Sequence, residues 1–285
     1  MEKIEQLIPI RETVDLSIYL NTVGGEKIFV KKPKTENGVE MNTREFYNQK
    51  FLRTATEGQD VGFEFLTPIF DKKVLVYPDI SEAVDWLATD NTPQTPMANL
   101  DEYVAEMVRF IRFCLDIPYE SIPSEIKLDA QKRLANVWSN FETDSTLLLE
   151  ATILSEADKI KMKNCLGDGI NKQAFQHHDI VPWHMARKHS DGKIILVDSG
   201  WGGWSFKYYD IAYFVLQMIG YAEQPEDALR FLEIIKKEFQ SDTQFQKTLS
   251  TSLSYRGIRL AAERYRQGMV KNAEDVLSFV LSELQ

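Results

Sequence analysis

All four histidines of this chain, His177, His178, His184 and His189, fall within 13 consecutive positions, in the stretch FQHHDIVPWHMARKHSDGKIILVDSG. The same stretch holds two aspartates, Asp179 and Asp198. HMAR (184–187) and IILV (194–197), joined by KHSDGK with its Asp-Gly turn, read as a small β-hairpin. A hairpin returns the chain to near its origin, so both acids can converge on one cleft. Asp198 ends its strand, and the Ser199-Gly200 turn that follows leaves the carboxylate exposed. Two hard oxygen ligands beside a nitrogen suit magnesium carrying nucleotide phosphates, and the second acid can then orient a hydroxyl and take its proton. The bland alternative is a pair of loop-forming acids beside a strand. A third reading is a metal-dependent hydrolase using His177, His178, Asp179 and His184, because residues 177 and 179 would share a face of a strand. Against it, the HExxH spacing is absent and no second histidine group exists elsewhere.

The elements that must position these residues change character along the chain. LSIYL (16–20) and KIFVKK (27–32) read as strands around a turn holding Gly24-Gly25. A Pro/Glu/Gly-rich loop follows, then a helix over 43–55 with Thr43 as its cap and Phe46, Tyr47, Phe51 and Leu52 near one face, then a strand at 72–78 ended by Pro78. After a turn-rich linker at 89–98, Asn99 and Glu102 form a capping-box pattern. Leu100, Val104, Val108, Ile111 and Leu115 then recur at helical spacing. Further helices are expected at 128–140, 146–163, 224–239, 243–267 and 271–284. The division expected is a β-rich lobe over 1–79 and a larger, mainly helical lobe over 80–285.

With 285 residues, 44% hydrophobic and 27% charged, the chain can bury a sizeable core. Its net charge of −10 argues against nucleic acid as a partner. Residues 1–80 hold 11 bases and 13 acids, while 81–285 hold 22 and 30, so the acidic surplus lies in the larger region. That is compatible with a cationic substrate. Cys114 and Cys165 form no CxxC pair and no disulfide framework. The start of the chain is not a signal peptide, and the most apolar stretch, 211–222, is too short to span a bilayer. A soluble cytoplasmic protein without a membrane partner is expected; the oligomeric state is not legible.

The stretch 177–184, HHDIVPWH, resembles the catalytic loop of the aminoglycoside phosphotransferase and choline kinase families, whose pattern is His-x-Asp, two residues, Pro, one residue, Asn. Val197-Asp198 is similar to their metal-binding aspartate at a strand end, and Tyr209-Asp210-Ile211-Ala212 to their Tyr-Asp-Leu-Ala segment. The three landmarks occur in order, 19 and then 12 residues apart. The resemblance implies an α+β, protein-kinase-like fold of two lobes. It also implies ATP or GTP with Mg2+ as cofactors and a small-molecule hydroxyl as acceptor. On it, Asp179 is the base, with His177 supporting the loop. Asp198 binds magnesium, and Asp210 is structural. FVKKP (29–33) resembles the strand with the phosphate-binding lysine, placing it at Lys31, with Lys32 as the substitute. Glu45 would pair with that lysine, and Val76, Tyr77 and Pro78 would form the interlobe hinge beside adenine.

Three departures stand out. His184 occupies the place of the Asn that binds a second magnesium, and imidazole favours softer ions. His178 replaces a common Gly beside the base. The loop expected over the phosphates, PIRETVDLSIYL, contains no glycine, so Arg11 or Thr13 would supply side-chain donors instead. These changes keep open a nucleotide-binding pseudokinase acting through a protein partner. Trp183 and Trp201 are the aromatic residues best placed to line a substrate pocket or seal the cleft.

Overall fold

The computed structural model describes residues 9–23, 25–88 and 100–284. Gly24 of the expected hairpin turn, the 89–98 linker and the Asn99 cap lie outside the described residues. The β-rich lobe contains β1 (Arg11–Glu12), β2 (Leu16–Val23), β3 (Glu26–Pro33), α1 (Glu36–Ala55), β5 (Ile69–Asp71) and β6 (Val74–Pro78), while β4 (Phe63–Glu64), between α1 and β5, joins the sheet of the other lobe. Five of these strands form an antiparallel sheet ordered β1-β2-β3-β6-β5. Lys72 and Lys73, at φ 48° and 73°, make the tight β5–β6 turn, whose paired left-handed residues match the twist of the strands.

Register decides which lysine of β3 faces inward. Lys31 stands opposite Ile18 and Leu75, and Phe29 opposite Tyr77. Directly opposed residues share a face, so Lys31 and Tyr77 both look toward α1, while Lys32 is turned out and exposed.

The helix expected from Thr43 begins earlier, at Glu36. Thr35 caps it, its hydroxyl accepting from the Gly38 amide at 3.1 Å, and Glu36 places a negative charge in the first turn. Thr43 lies inside the helix and donates to the Val39 carbonyl at 2.8 Å. Gly38, which reads as a loop residue, is there for packing: a Cβ would run into the Asp15 carbonyl oxygen. The buried stripe of α1 is mostly polar, comprising Gly38, Asn42, Glu45, Asn48, Gln49 and Leu52, while Phe46, Tyr47 and Phe51 stay half-buried.

The larger lobe contains β7 (Val84–Trp86), α2 (Leu100–Asp116), α3 (Ser124–Ala135), α4 (Val137–Glu150), α5 (Glu156–Gly169), β8 (Gln173–Gln176), β9 (Met185–Lys188), β10 (Ile194–Leu196), β11 (Gly203–Phe206), α6 (Tyr209–Gly220), α7 (Pro225–Glu238), α8 (Phe245–Arg266) and α9 (Val270–Glu283). The helices expected at 128–140 and 146–163 each straddle a break. One falls at Asn136; the other runs from Thr152, held at φ 60°, to Ser155, which caps α5 by accepting from the Asp158 amide. The β9–β10 hairpin forms as expected, in a sheet ordered β4-β10-β9-β7. Strands β4, β7, β8 and β11 are too short to show a period-2 pattern in the sequence. The segment 79–83 links β6 to β7 and so crosses between the lobes.

Helix α6 is mostly apolar and buried around nearly its whole circumference, which suits a helix enclosed on all sides, and it packs against α7, α8 and α9. Gly257 of α8 lets α9 approach: a Cβ there would lie 2.6 Å from Val280. Among the described residues no helix is long and apolar enough to cross a membrane.

Candidate active site

The β9–β10 hairpin closes the loop it follows onto the strand end it precedes. Ligand atoms of Asp179, His184 and Asp198 lie within 4.8 Å of one another. The His184 Nδ1 is 3.1 Å from the Asp179 carbonyl oxygen, which can only accept. In the neutral ring Nδ1 therefore carries the proton, and Nε2 presents its lone pair toward the Asp198 carboxylate 3.9 Å away.

Asp210, the second residue of α6, anchors this loop from below. Its carboxylate accepts from the His177 amide at 2.8 Å and the His178 amide at 2.6 Å, and its own amide donates to Gln176 Oε1. Burial pushes its carboxyl up to about 7 despite those two donors. His178 takes φ 67° to make the turn, and Asp198 takes φ 60° as it leaves β10.

The upper lobe contributes Lys31. Its ammonium is 2.8 Å from both Glu45 oxygens and 3.5 Å from Asp198 Oδ1, and Tyr77 donates to Glu45 at 2.7 Å. The Asn42 amide donates to the Lys31 and Lys73 carbonyls, tying α1 to β3. Burial works against charge on Lys31, yet Asp198 and Glu45 outweigh it and raise its pKa. Burial raises Glu45, and Lys31 only partly offsets this.

The two cluster aspartates diverge. Burial, reinforced by the charge of Asp198, pushes Asp179 up to about 6, against the pull of His184 and a hydrogen bond from Tyr213. Asp198 is half-buried, and the loss of water pushes it up as well, but Lys31 and His184 overcome that and hold it at about 2. Two aspartates with ligand atoms this close suit a divalent cation, whose charge would relieve their repulsion. The donor set fits the magnesium role, with the imidazole as the softer member.

The remaining candidates are distributed less tightly. The His177 ring is buried against Phe65 and Phe110, has no hydrogen-bond partner among the described residues, and is driven down to about 3 by burial. His178 packs on Tyr209 with ring centroids 4.4 Å apart, and His189 pairs with Asp85. None of these three joins the metal cluster. Arg11 is exposed on the edge strand, in register with Ile18 and through it Lys31. Thr13 is committed to the β1–β2 turn, its hydroxyl accepting from the Leu16 amide at 3.0 Å. Val76 and Tyr77 lie inside β6, ahead of the crossing segment.

The loop after Asp198 is clamped from both lobes. Arg44 of α1 donates to the Gly200 carbonyl and stacks 4.1 Å over Trp201, while Arg133 of α3 donates to the carbonyls of Trp201 and Gly202. Ser199 donates to Gln49 of α1. A cavity of about 550 Å³ opens beside this loop between α3, α4, α6 and α8, walled by Trp201, Trp204, Tyr209, Tyr213 and Tyr255. Trp183 is not part of it; it packs on the core beside His184. Sequence reasoning passed over Tyr213, Arg44, Arg133 and Arg256. Tyr213 had one signal, a hydroxyl one turn beyond Asp210 in an otherwise apolar helix; an arginine on an amphipathic helix carries none.

Neither a family model nor a curated protein matches this sequence. Solved structures do. The chain superposes on aminoglycoside phosphotransferase APH(2'')-IIa in complex with streptomycin and ATP at a TM-score of 0.63 and 13% identity, covering 99% of this chain and 94% of that one. It matches the GDP complex of aminoglycoside 2'-phosphotransferase-IIIa at 0.60 and 13%, again over 99% and 94%. A thermostable APH(4)-Ia with AMP-PNP and hygromycin B matches at 0.59 and 10%, over 98% and 94%. The chain thus carries, across nearly its whole length, the two-lobed, protein-kinase-like fold of the aminoglycoside phosphotransferases.

Proposed function

We propose that this protein transfers the γ-phosphoryl group of ATP or GTP to a hydroxyl of a small molecule. The observation that carries the reading is the convergence, in one interlobe cleft, of the Lys31–Glu45 pair with Asp198 at 3.5 Å and of Asp198 with Asp179 and His184. Lys31, steadied by Glu45 and Tyr77, contacts the nucleotide phosphates. Asp198, with His184, holds the magnesium, which when bound neutralises phosphate charge. Asp179 aligns the acceptor hydroxyl and receives its proton, helped by a pKa brought closer to neutrality. Positioning and charge neutralisation supply most of the acceleration expected for this chemistry. The two cysteines are unpaired, which fits a reducing cytoplasm where nucleoside triphosphate is available.

A nucleotide-binding pseudokinase is the second reading, favoured by Thr13 being tied into its turn and by the glycine-free loop above the phosphates. Calorimetric titration with ATP and GTP, with and without magnesium, tests the cleft, with Asp198→Asn as control. Magnesium-dependent binding that weakens about tenfold or more in the variant supports it. ADP release that requires both an acceptor and Asp179 separates transfer from binding alone. Absence of nucleotide binding at millimolar concentration sinks both readings.

A further inference from the structure

The cavity walled by Trp201, Tyr209 and Tyr213, the last of which hydrogen-bonds Asp179, carries the opposite charge to the molecule as a whole. The chain is −10 overall, yet Lys132, Arg133, Arg256 and Arg259 line this cavity and Glu263 is the one acid among its described lining residues. Their counter-ions are shared. Asp129 serves both Arg44 at 3.1 Å and Arg133 at 3.0 Å, and Asp144 serves both Arg259 at 3.2 Å and Arg266 at 2.5 Å. Glu263 faces Arg256 at 4.0 Å and Arg264 at 3.7 Å, and also accepts from the Tyr221 hydroxyl. Six guanidinium groups therefore share three carboxylates.

Arg256 is the least satisfied of the lining bases. Its side chain is only 12% exposed, its closest carboxylate is at the limit of an ion pair, and its Nε has no hydrogen-bond partner among the described residues. It lies 4.7 Å over the Tyr213 ring, whose hydroxyl reaches Asp179. A buried guanidinium without a matched partner is costly, and a bound anion would remove that cost. The aromatic walls add flat apolar surface on which a ring can stack.

We propose that the phosphoryl acceptor is an anion: a hydroxyl compound bearing a carboxylate or a phosphate, with its ring on the aromatic wall and its charge on Arg256. The inference rests on the phosphotransfer reading for its use of the hydroxyl. There, the acceptor oxygen bonds to the γ-phosphorus, the bond to the β-phosphate oxygen breaks, and the hydroxyl proton passes to Asp179. The products are a nucleoside diphosphate and a phosphate monoester that keeps the original acid. This departs from the cationic substrate with which the acidic composition is compatible; the acidic surplus then serves solubility.

The test uses matched sets that differ only in charge: 4-(hydroxymethyl)benzoate, 1,4-benzenedimethanol and 4-(aminomethyl)benzyl alcohol, and likewise glucuronate, glucose and glucosamine. Each is titrated calorimetrically into the full chain, without nucleotide and with magnesium and AMP-PNP. The anionic member of at least one set should bind about tenfold tighter than its neutral and amine partners, and Arg256→Gln should remove that preference. Lys132→Glu, on the exposed rim, should reduce it as well and serves if Arg256→Gln fails to fold. Equal or tighter binding of the amines, or no anion binding at about 10 mM, overturns the inference. Nucleotide binding is scored separately: its loss would overturn phosphotransfer, while the charge preference measured without nucleotide would still decide the nature of the pocket.

Discussion

Asp179 and Asp198 are the same residue type in one cluster, and their surroundings drive them to about 6 and about 2. Separation of this kind assigns roles: the strongly ionised acid suits a cation, and the one nearer neutrality suits proton transfer. In the nucleotide-free protein the Asp179 carboxyl should titrate with a midpoint near 6 by carbon-detected NMR. Its raised value means that the charged, proton-accepting form is lost as pH falls through that midpoint. Magnesium with AMP-PNP should move the midpoint down, because a nearby cation favours the carboxylate; an unmoved midpoint would place the metal elsewhere. His184 offers a second prediction at this scale. Replacing it with Asn exchanges a nitrogen donor for an oxygen, so the ratio of manganese-supported to magnesium-supported transfer should fall severalfold. An unchanged ratio would show that the imidazole does not bind the ion.

Helix α1 does more than its apolar content suggests. Its buried stripe supplies Glu45 to Lys31, Gln49 to Ser199 and, from the flank, Arg44 to the loop after Asp198. Its first turn is held by the Thr35 cap, so Thr35→Ala should cost about 1 kcal/mol by removing that bond. Chemical denaturation reads this directly, and no change would mean that the cap bond contributes nothing. The corresponding point in the large lobe is Gly257. Gly257→Val would force side-chain atoms into Val280 of α9 and should destabilise the fold by about 1–3 kcal/mol. Neither site touches the catalytic cluster.

For the molecule as a whole, the cleft is where the lobes meet: Lys31 reaches Asp198, Arg44 bridges Gly200 and Asp129, and Gln49 meets Ser199. A ligand that binds there binds only the folded, closed arrangement. At a hundred times its dissociation constant, magnesium nucleotide should stabilise the protein by about 2.7 kcal/mol, read as a rise in Tm. Asp198→Asn should lose most of that rise while keeping the magnesium-free Tm near that of the parent; a full rise in the variant would remove Asp198 from the metal site.

What the chain order alone determined is the local part of the site. The spacing of Asp179, Asp198 and Asp210 around a hairpin lies within 32 residues, so loop, turn and strand end are joined by short connections that a sequence can show. Strands β2, β3 and β6 and most of the helices were legible because each is long enough to carry its own residue pattern. The early start of α1 was not, because its buried face is polar and its glycine serves packing rather than a turn. The choice of Lys31 over Lys32 required sheet register, which fixes the inward face. The charge of the cavity required the tertiary structure entirely. Arg133 and Arg256 are separated by more than a hundred residues in a chain that is acidic on average, and only the tertiary arrangement, with α3 and α8 both packed on β11, brings them to one cavity.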